Sequence, residues 1–199
     1  MKKITLLLLI VCLLGFTSAA LAQVRRQAPA PRRAVIKANV LSPFVLTASG
    51  FVEYAFTPQI SGQFGAFTTG ASYKDVDFEG YGFTPEVRYY LSDTKQAPNG
   101  FYVAGYGRIL NYKLTVEKEE NEEKKTYTAT YAPVGAGVAA GNQFIFNSGI
   151  SLDLFMGVGV NGGSLKVNSG TEEDFDLGFL NLVGSGVRFR PGITVGYSF

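Results

Sequence analysis

The feature that most narrows what this chain can fold into is a period of two in its apolar residues, sustained from Ala34 to the last residue. In the final stretch Val187, Phe189, Ile193, Val195, Tyr197 and Phe199 hold one parity, and Arg188, Arg190, Thr194 and Ser198 the other. A strand sends alternate side chains to opposite faces, so one face is apolar and the other carries two arginines. Residues 80–91 repeat the arrangement, with Tyr81, Phe83, Val87, Tyr89 and Leu91 against Thr84, Glu86, Arg88 and Tyr90. Residues 149–161 do so again, with Ile150, Leu152, Leu154, Met156, Val158 and Val160 against Ser151, Asp153, Gly157 and Asn161. Val52, Tyr54 and Phe56 take the apolar parity around Glu53, and Ile36, Ala38 and Val40 oppose Lys37 and Asn39.

Strands are expected to start near residues 34, 49, 60, 80, 100, 126, 149 and 185. Brief turns at 57–59, 92–99 and 147–148 alternate with longer polar or acidic connections at 69–79, 117–125 and 162–184. The short apolar link from Ser42 to Ala48 does not fit this scheme. Gly105 and Gly107 blur the parity of the fifth strand, which predicts a bulge near Arg108. A hairpin over Phe175–Val183 would raise the count to ten. The pattern predicts an all-β fold: an antiparallel transmembrane β-barrel of eight strands with short periplasmic turns and longer extracellular loops. A soluble lipocalin-like barrel, with the apolar parity turned inward on an apolar ligand, is compatible with the same alternation. Three features favour the membrane: a would-be solvent face rich in Gly and Tyr and poor in Lys, aromatics near strand ends, and termination at Phe199.

The N-terminus predicts export. Lys2 and Lys3 precede an apolar run from Ile4 to Phe16, and Ala20-Leu21-Ala22 forms an A-x-A site before Gln23. The run is shorter than the roughly 20 apolar residues of a spanning helix. Lipidation at Cys12 is the rival reading; Val11 before it is larger than such signals prefer. Residues 1–22 are therefore assigned to a signal peptide cleaved between Ala22 and Gln23, and 23–33, with four arginines among Pro, Ala and Gln, to a disordered leader. Residues 34–199 form the barrel. The chain has 18 Lys+Arg and 16 Asp+Glu, and two of those lysines lie in the signal, so the remainder balances. That argues against a nucleic-acid partner, which needs a concentrated positive footprint. With no His and a single Cys, His-dependent triads, His-ligated metals and thiolate zinc sites are excluded.

The signal peptide, the closing strand from Gly192 to Phe199 and the eight-strand spacing resemble small outer-membrane β-barrel proteins of the OmpA/OmpX type. The stretch Gly82–Tyr90 followed by Gly100-Phe101-Tyr102-Val103 is similar to the central hairpin of uncharacterised barrels in that group. The resemblance implies an outer membrane of a Gram-negative envelope, lipid and lipopolysaccharide around the barrel, and barrel-insertion machinery that reads Tyr197 and Phe199. It implies no common activity. Enzymes on such small barrels, lipid A deacylases and palmitoyltransferases, use an essential His that this chain lacks, so no enzyme, catalytic residue or cofactor is assigned.

The interior parity carries Lys37, Glu53, Glu86, Arg88, Asp153, Arg188 and Arg190, joined by Arg108 if it points inward. An eight-stranded barrel is just wide enough for side chains to fill it. These charges therefore predict a closed, salt-bridged interior in a structural or surface-interaction protein. A narrow conduit, alone or as the barrel of a transport or secretion complex, is the alternative. The run from Glu117 to Lys125, and Glu172, Glu173 and Asp174, predict acidic external loops that could meet an extracellular or envelope protein. Asp75, Asp77 and Glu79 share a face but lack the spacing of a calcium loop.

Overall fold

The computed structural model describes residues 32–73, 76–92, 94–120, 123–163, 165–169 and 186–199. The signal peptide with its Ala22–Gln23 junction, most of the leader, Asp75, Glu172, Glu173, Asp174 and the 175–183 segment lie outside them.

Ten strands are present among these residues: β1 (Ala34–Asn39), β2 (Thr47–Ala55), β3 (Ile60–Tyr73), β4 (Val76–Tyr90), β5 (Gly100–Glu120), β6 (Glu123–Tyr131), β7 (Val134–Ile145), β8 (Ile150–Gly162), β9 (Leu165–Ser169) and β10 (Gly186–Ser198). All pairings are antiparallel. Eight strands close a ring, β1-β2-β3-β4-β5-β7-β8-β10, in which β10 returns to pair with β1. The two others lengthen one wall: β6 pairs with the far half of β5, and β9 with β6. Pro133, which cannot donate to a ladder, lies in the break between β6 and β7.

The link after β1 is a 3-10 turn over Ser42–Val45, closed by Leu46 at φ 54°. The connections expected at 69–79 and 117–125 are largely strand. β3 and β4 stay paired out to Tyr73↔Val76, and β5 and β6 to Glu120↔Glu123. Polar composition suggested loops there, but Thr and Tyr are favourable strand residues, and Phe78, Val116 and Tyr127 pack against Leu114, Ala129 and Tyr131 where the hairpins leave the ring. The bulge expected near Arg108 is absent. Phe83↔Ile109 and Glu86↔Tyr106 keep one register, and the ladder lapses only around Pro85. The irregularity lies instead between β6 and β9, at Thr128/Ala129. At the opposite end the start of the barrel is tied down. Arg32 donates from both Nη atoms to the carbonyls of Phe146 and Asn147, at 2.8 Å each, and Ala55 N donates to Arg33 O. Of the 23–33 stretch, Arg32 is therefore held against the 146–147 turn and Arg33 against the end of β2.

The outer face carries the apolar parity: Ile36, Val52, Phe64, Val87, Val103, Val138, Met156, Val160 and Phe189 are all exposed. Such a band, continuing from strand to strand, far exceeds the patches of a few hundred Å² that soluble monomers expose. The inner face uses a different device. Large rings are laid over glycines directly opposite on the next strand: Phe51 on Gly65, Phe67 on Gly82, Tyr102 on Gly141, Tyr106 on Gly137 and Phe155 on Gly192. A Cβ at Gly65 would lie 2.6 Å from the Phe51 ring, and one at Gly141 2.6 Å from the Tyr102 hydroxyl. A ring of eight strands has room for one large side chain per cross-strand pair. Gly65→Val should therefore lower the urea midpoint of the refolded barrel, with about 1–3 kcal/mol lost to overpacking. Gly105→Val, where an added Cβ meets nothing within 4 Å, should leave it near the parent.

Candidate functional site: the ion-pair plug

Inward positions are dry toward the end with the short turns at 56–59, 91–99 and 146–149; toward the hairpin end those of β2, β3 and β10 are half-exposed, while Leu110, Tyr112 and Leu114 of β5 stay buried against Ala129 and Tyr131 of β6. Ser61, Gln63, Glu53, Arg88, Asp153 and Thr194 are buried, whereas Thr47, Ser49, Phe67, Thr69 and Arg188 keep partial access. At the dry level three cations meet three carboxylates. Lys37 Nζ from β1 lies 2.6 Å from Glu53 and 3.2 Å from Asp153. Arg88 from β4 reaches all three acids: Glu86 at 2.7 Å, Asp153 at 2.8 Å and Glu53 at 3.2 Å. Arg190 from β10 closes the set at 2.6 Å from Glu86. Lys37, Arg88, Glu53, Glu86 and Asp153 have no exposed side-chain surface, and Arg190 has 11%.

Neutral donors add to the carboxylates' shell, while Arg88 Nη2 and Arg190 Nη2 stay buried without an acceptor among the described residues. Glu53 also accepts from Ser61 Oγ at 2.6 Å, Tyr90 Oη at 2.7 Å and Gln143 Nε2 at 3.1 Å. Asp153 accepts from Tyr102 Oη at 2.9 Å. Gln143 is the hub between the two chemistries, since its Oε1 accepts from Lys37 at 2.5 Å while its Nε2 also reaches Pro98 O. The Arg88 guanidinium sits 4.1 Å from the centroid of the Tyr102 ring. Buried charge is costly unless paired and hydrogen-bonded, and every carboxylate here has at least two donors. Gly196, directly opposite Lys37, leaves the channel that the lysine stem occupies: a Cβ there would lie 2.7 Å from Lys37 Cγ.

The eight charged positions singled out from parity thus divide. Lys37, Glu53, Glu86, Arg88, Asp153 and Arg190 come together in one network. Arg108 and Arg188 lie on the inward parity but nearer the hairpin end, and Arg108 makes no ion pair among the described residues. Parity alone did not disclose Gln143, Tyr102 or Ser61. Gln143 and Ser61 carry no charge to draw notice. Tyr102 belongs to the strand whose glycines hid its alternation, and counting back from inward Tyr106 would have found it. Asp77 and Glu79 stand exposed on β4. Glu117 lies near the end of β5, and Lys125 faces water on β6. Tyr197 and Phe199 point outward, and the backbones of Phe199 and Ala34 exchange two hydrogen bonds, of 3.0 and 3.2 Å, that seal the ring.

A family model described as a protein of unknown function, DUF3575, matches residues 6–167. Comparison with curated proteins gave no match. Among solved structures, a major outer membrane protein from Thermus thermophilus is similar at a TM-score of 0.50 and 13% identity, over 86% of this chain and 100% of that one. Ail, the attachment invasion locus protein of Yersinia pestis, scores 0.45 at 13% identity, over 85% and 100%. Acinetobacter baumannii CarO2 scores 0.43 at 12% identity, over 85% and 98%. At these identities the likeness concerns the fold, an outer-membrane type of β-barrel.

Proposed function

Because this chain belongs to the DUF3575 family of proteins of unknown function and folds as a closed eight-strand barrel, we propose that it is a non-enzymatic outer-membrane protein whose interior is sealed, acting in envelope structure or surface interaction. The observation that carries the reading is the plug: six charged side chains from β1, β2, β4, β8 and β10 span the lumen and pair with one another. A hydrated ion would have to break several charge-assisted bonds to pass, each about twice as strong as a neutral one. The apolar outer band supports lipid and lipopolysaccharide as its surroundings. The extended hairpins, with Glu117 and Lys125 near the tip of one, support a surface that meets an extracellular or envelope partner. Export through the N-terminal signal and cleavage before Gln23 belong to the same proposal.

Planar-bilayer recording of the refolded protein tests it. The parent should give no steady current steps. Glu86→Ala, which leaves Arg190 without its carboxylate and Arg88 short of one, should lower the urea midpoint and still carry no current. Sized steps in the parent would instead support the conduit reading, and steps in Glu86→Ala alone would identify a gate.

A further inference from the structure

On the hairpin side of the plug the lumen widens into a cavity of about 630 Å³. Its floor is Arg190 and Thr84, its wall is formed by Phe51, Phe67, Phe78 and Tyr112, and Arg108 projects from β5. The volume falls within the range of small-molecule pockets, roughly 300–1,000 Å³. The two charged side chains that line it among the described residues, Arg108 and Arg190, are both cations. No Asp or Glu lines the cavity among the described residues, and Glu86, just beneath, is already engaged by Arg88 and Arg190. Arg108 Nε and Arg190 Nη2 are buried and donate to no acceptor among the described residues. Both guanidiniums are backed by rings: Arg190 lies 4.8 Å from the Phe155 and Tyr106 centroids, and Arg108 5.9 Å from that of Phe67. Phe78 and Tyr112 stack at 5.3 Å.

We propose that this cavity binds an amphipathic monoanion: a carboxylate on a compact aromatic or aliphatic body. The two orphaned guanidinium donors suit a carboxylate, for which arginine forks are well matched. The aromatic wall suits an apolar body and disfavours a small, strongly hydrated anion that would shed its water for no return. A cation is repelled. Thr47, Ser49, Phe67 and Thr69 line the cavity from within the barrel and keep partial access, while Leu41, Val45, Phe189 and Pro191 carry its rim to the outer face, so the carboxylate reaches it from water or along the apolar wall. The site stands whether or not the barrel conducts, and its test involves no current.

The refolded chain in phosphatidylcholine nanodiscs is titrated calorimetrically with 4-phenylbutyrate, 4-phenylbutanol and 4-phenylbutylammonium, with empty nanodiscs subtracted. The carboxylate should saturate a single site, with the alcohol and the amine weaker by about tenfold or more, the worth of a charge-assisted bond. Arg108→Gln should bring the carboxylate down to the alcohol's affinity without changing the alcohol. Phe67→Ala should weaken both. No saturable heat from the carboxylate, equal binding of acid and alcohol by the parent, or an Arg108→Gln protein that binds as the parent does would each overturn the proposal. The three-ligand comparison on the parent decides the matter even if a variant does not refold.

Discussion

Replacing Arg88 with leucine should destabilise the barrel more than any other single change in its lumen. Arg88 is wholly buried and, among the described residues, alone in touching Glu53, Glu86 and Asp153 together, so its loss leaves three carboxylates facing two cations. Breaking one side of a buried ion pair costs about 3–5 kcal/mol, because the abandoned charge stays desolvated. A urea titration of refolded protein followed by heat-modifiable gel mobility reads the effect directly. The double variant Arg88→Leu with Asp153→Asn should recover part of the loss, since it restores two charges against two while Tyr102 and Lys37 keep a partner at position 153. If the single variant matched the parent in urea midpoint, the network would be incidental to the barrel's stability. The sealed-interior proposal would then lose its support.

Deleting Phe199 should abolish accumulation of folded protein in the outer membrane, while the same variant still refolds in detergent. The residue does two separable things. Its backbone exchanges two hydrogen bonds with Ala34 across the closing seam, and its ring, 62% exposed, stands on the lipid-facing parity two positions after Tyr197. Two seam bonds are worth about 0.5–1.5 kcal/mol each, a modest fraction of the stability conferred by the ladders of the whole ring, so folding in detergent persists. An insertion apparatus that reads the terminal aromatic would miss it altogether. Phe199→Tyr should be tolerated and Phe199→Asp should behave as the deletion does. Membrane fractions probed by heat-modifiable mobility give the answer, and unchanged levels in the deletion strain would show that the closing strand is not the recognition element.

The outline of the fold was legible from alternation, and the reason is physical. A strand has a period of two, and a barrel wall in lipid must keep one parity apolar along its whole length, so Ile36, Val87, Met156 and Phe189 share one face, which the Gly- and Tyr-rich opposite face and the aromatic strand ends identify as the outside. The opposite parity then names Lys37, Glu53, Glu86, Arg88, Asp153 and Arg190 as inward. Alternation failed where glycine replaced an outward apolar residue, as at Gly105 and Gly107. It also failed to separate hairpin from loop beyond residue 69 and beyond residue 117, where the backbones stay paired although the polar residues carry no apolar parity.

By itself the sequence determined which residues share a face of the wall and an outline of eight strands, with ten left open. Both follow from local periodicity and turn chemistry. Tertiary structure alone decided how the inward residues meet. Register sets that, and register depends on every strand at once: it places Gly65 under Phe51, Gly141 under Tyr102, and Gln143 within reach of both Lys37 and Glu53. The same registers stop Arg108 short of the acids that Arg88 reaches and leave it beside Phe67 in the widened lumen. Two arginines on the same parity thus have different surroundings, one sealed in the plug and one facing a cavity, because the ring closes between strands far apart in the chain.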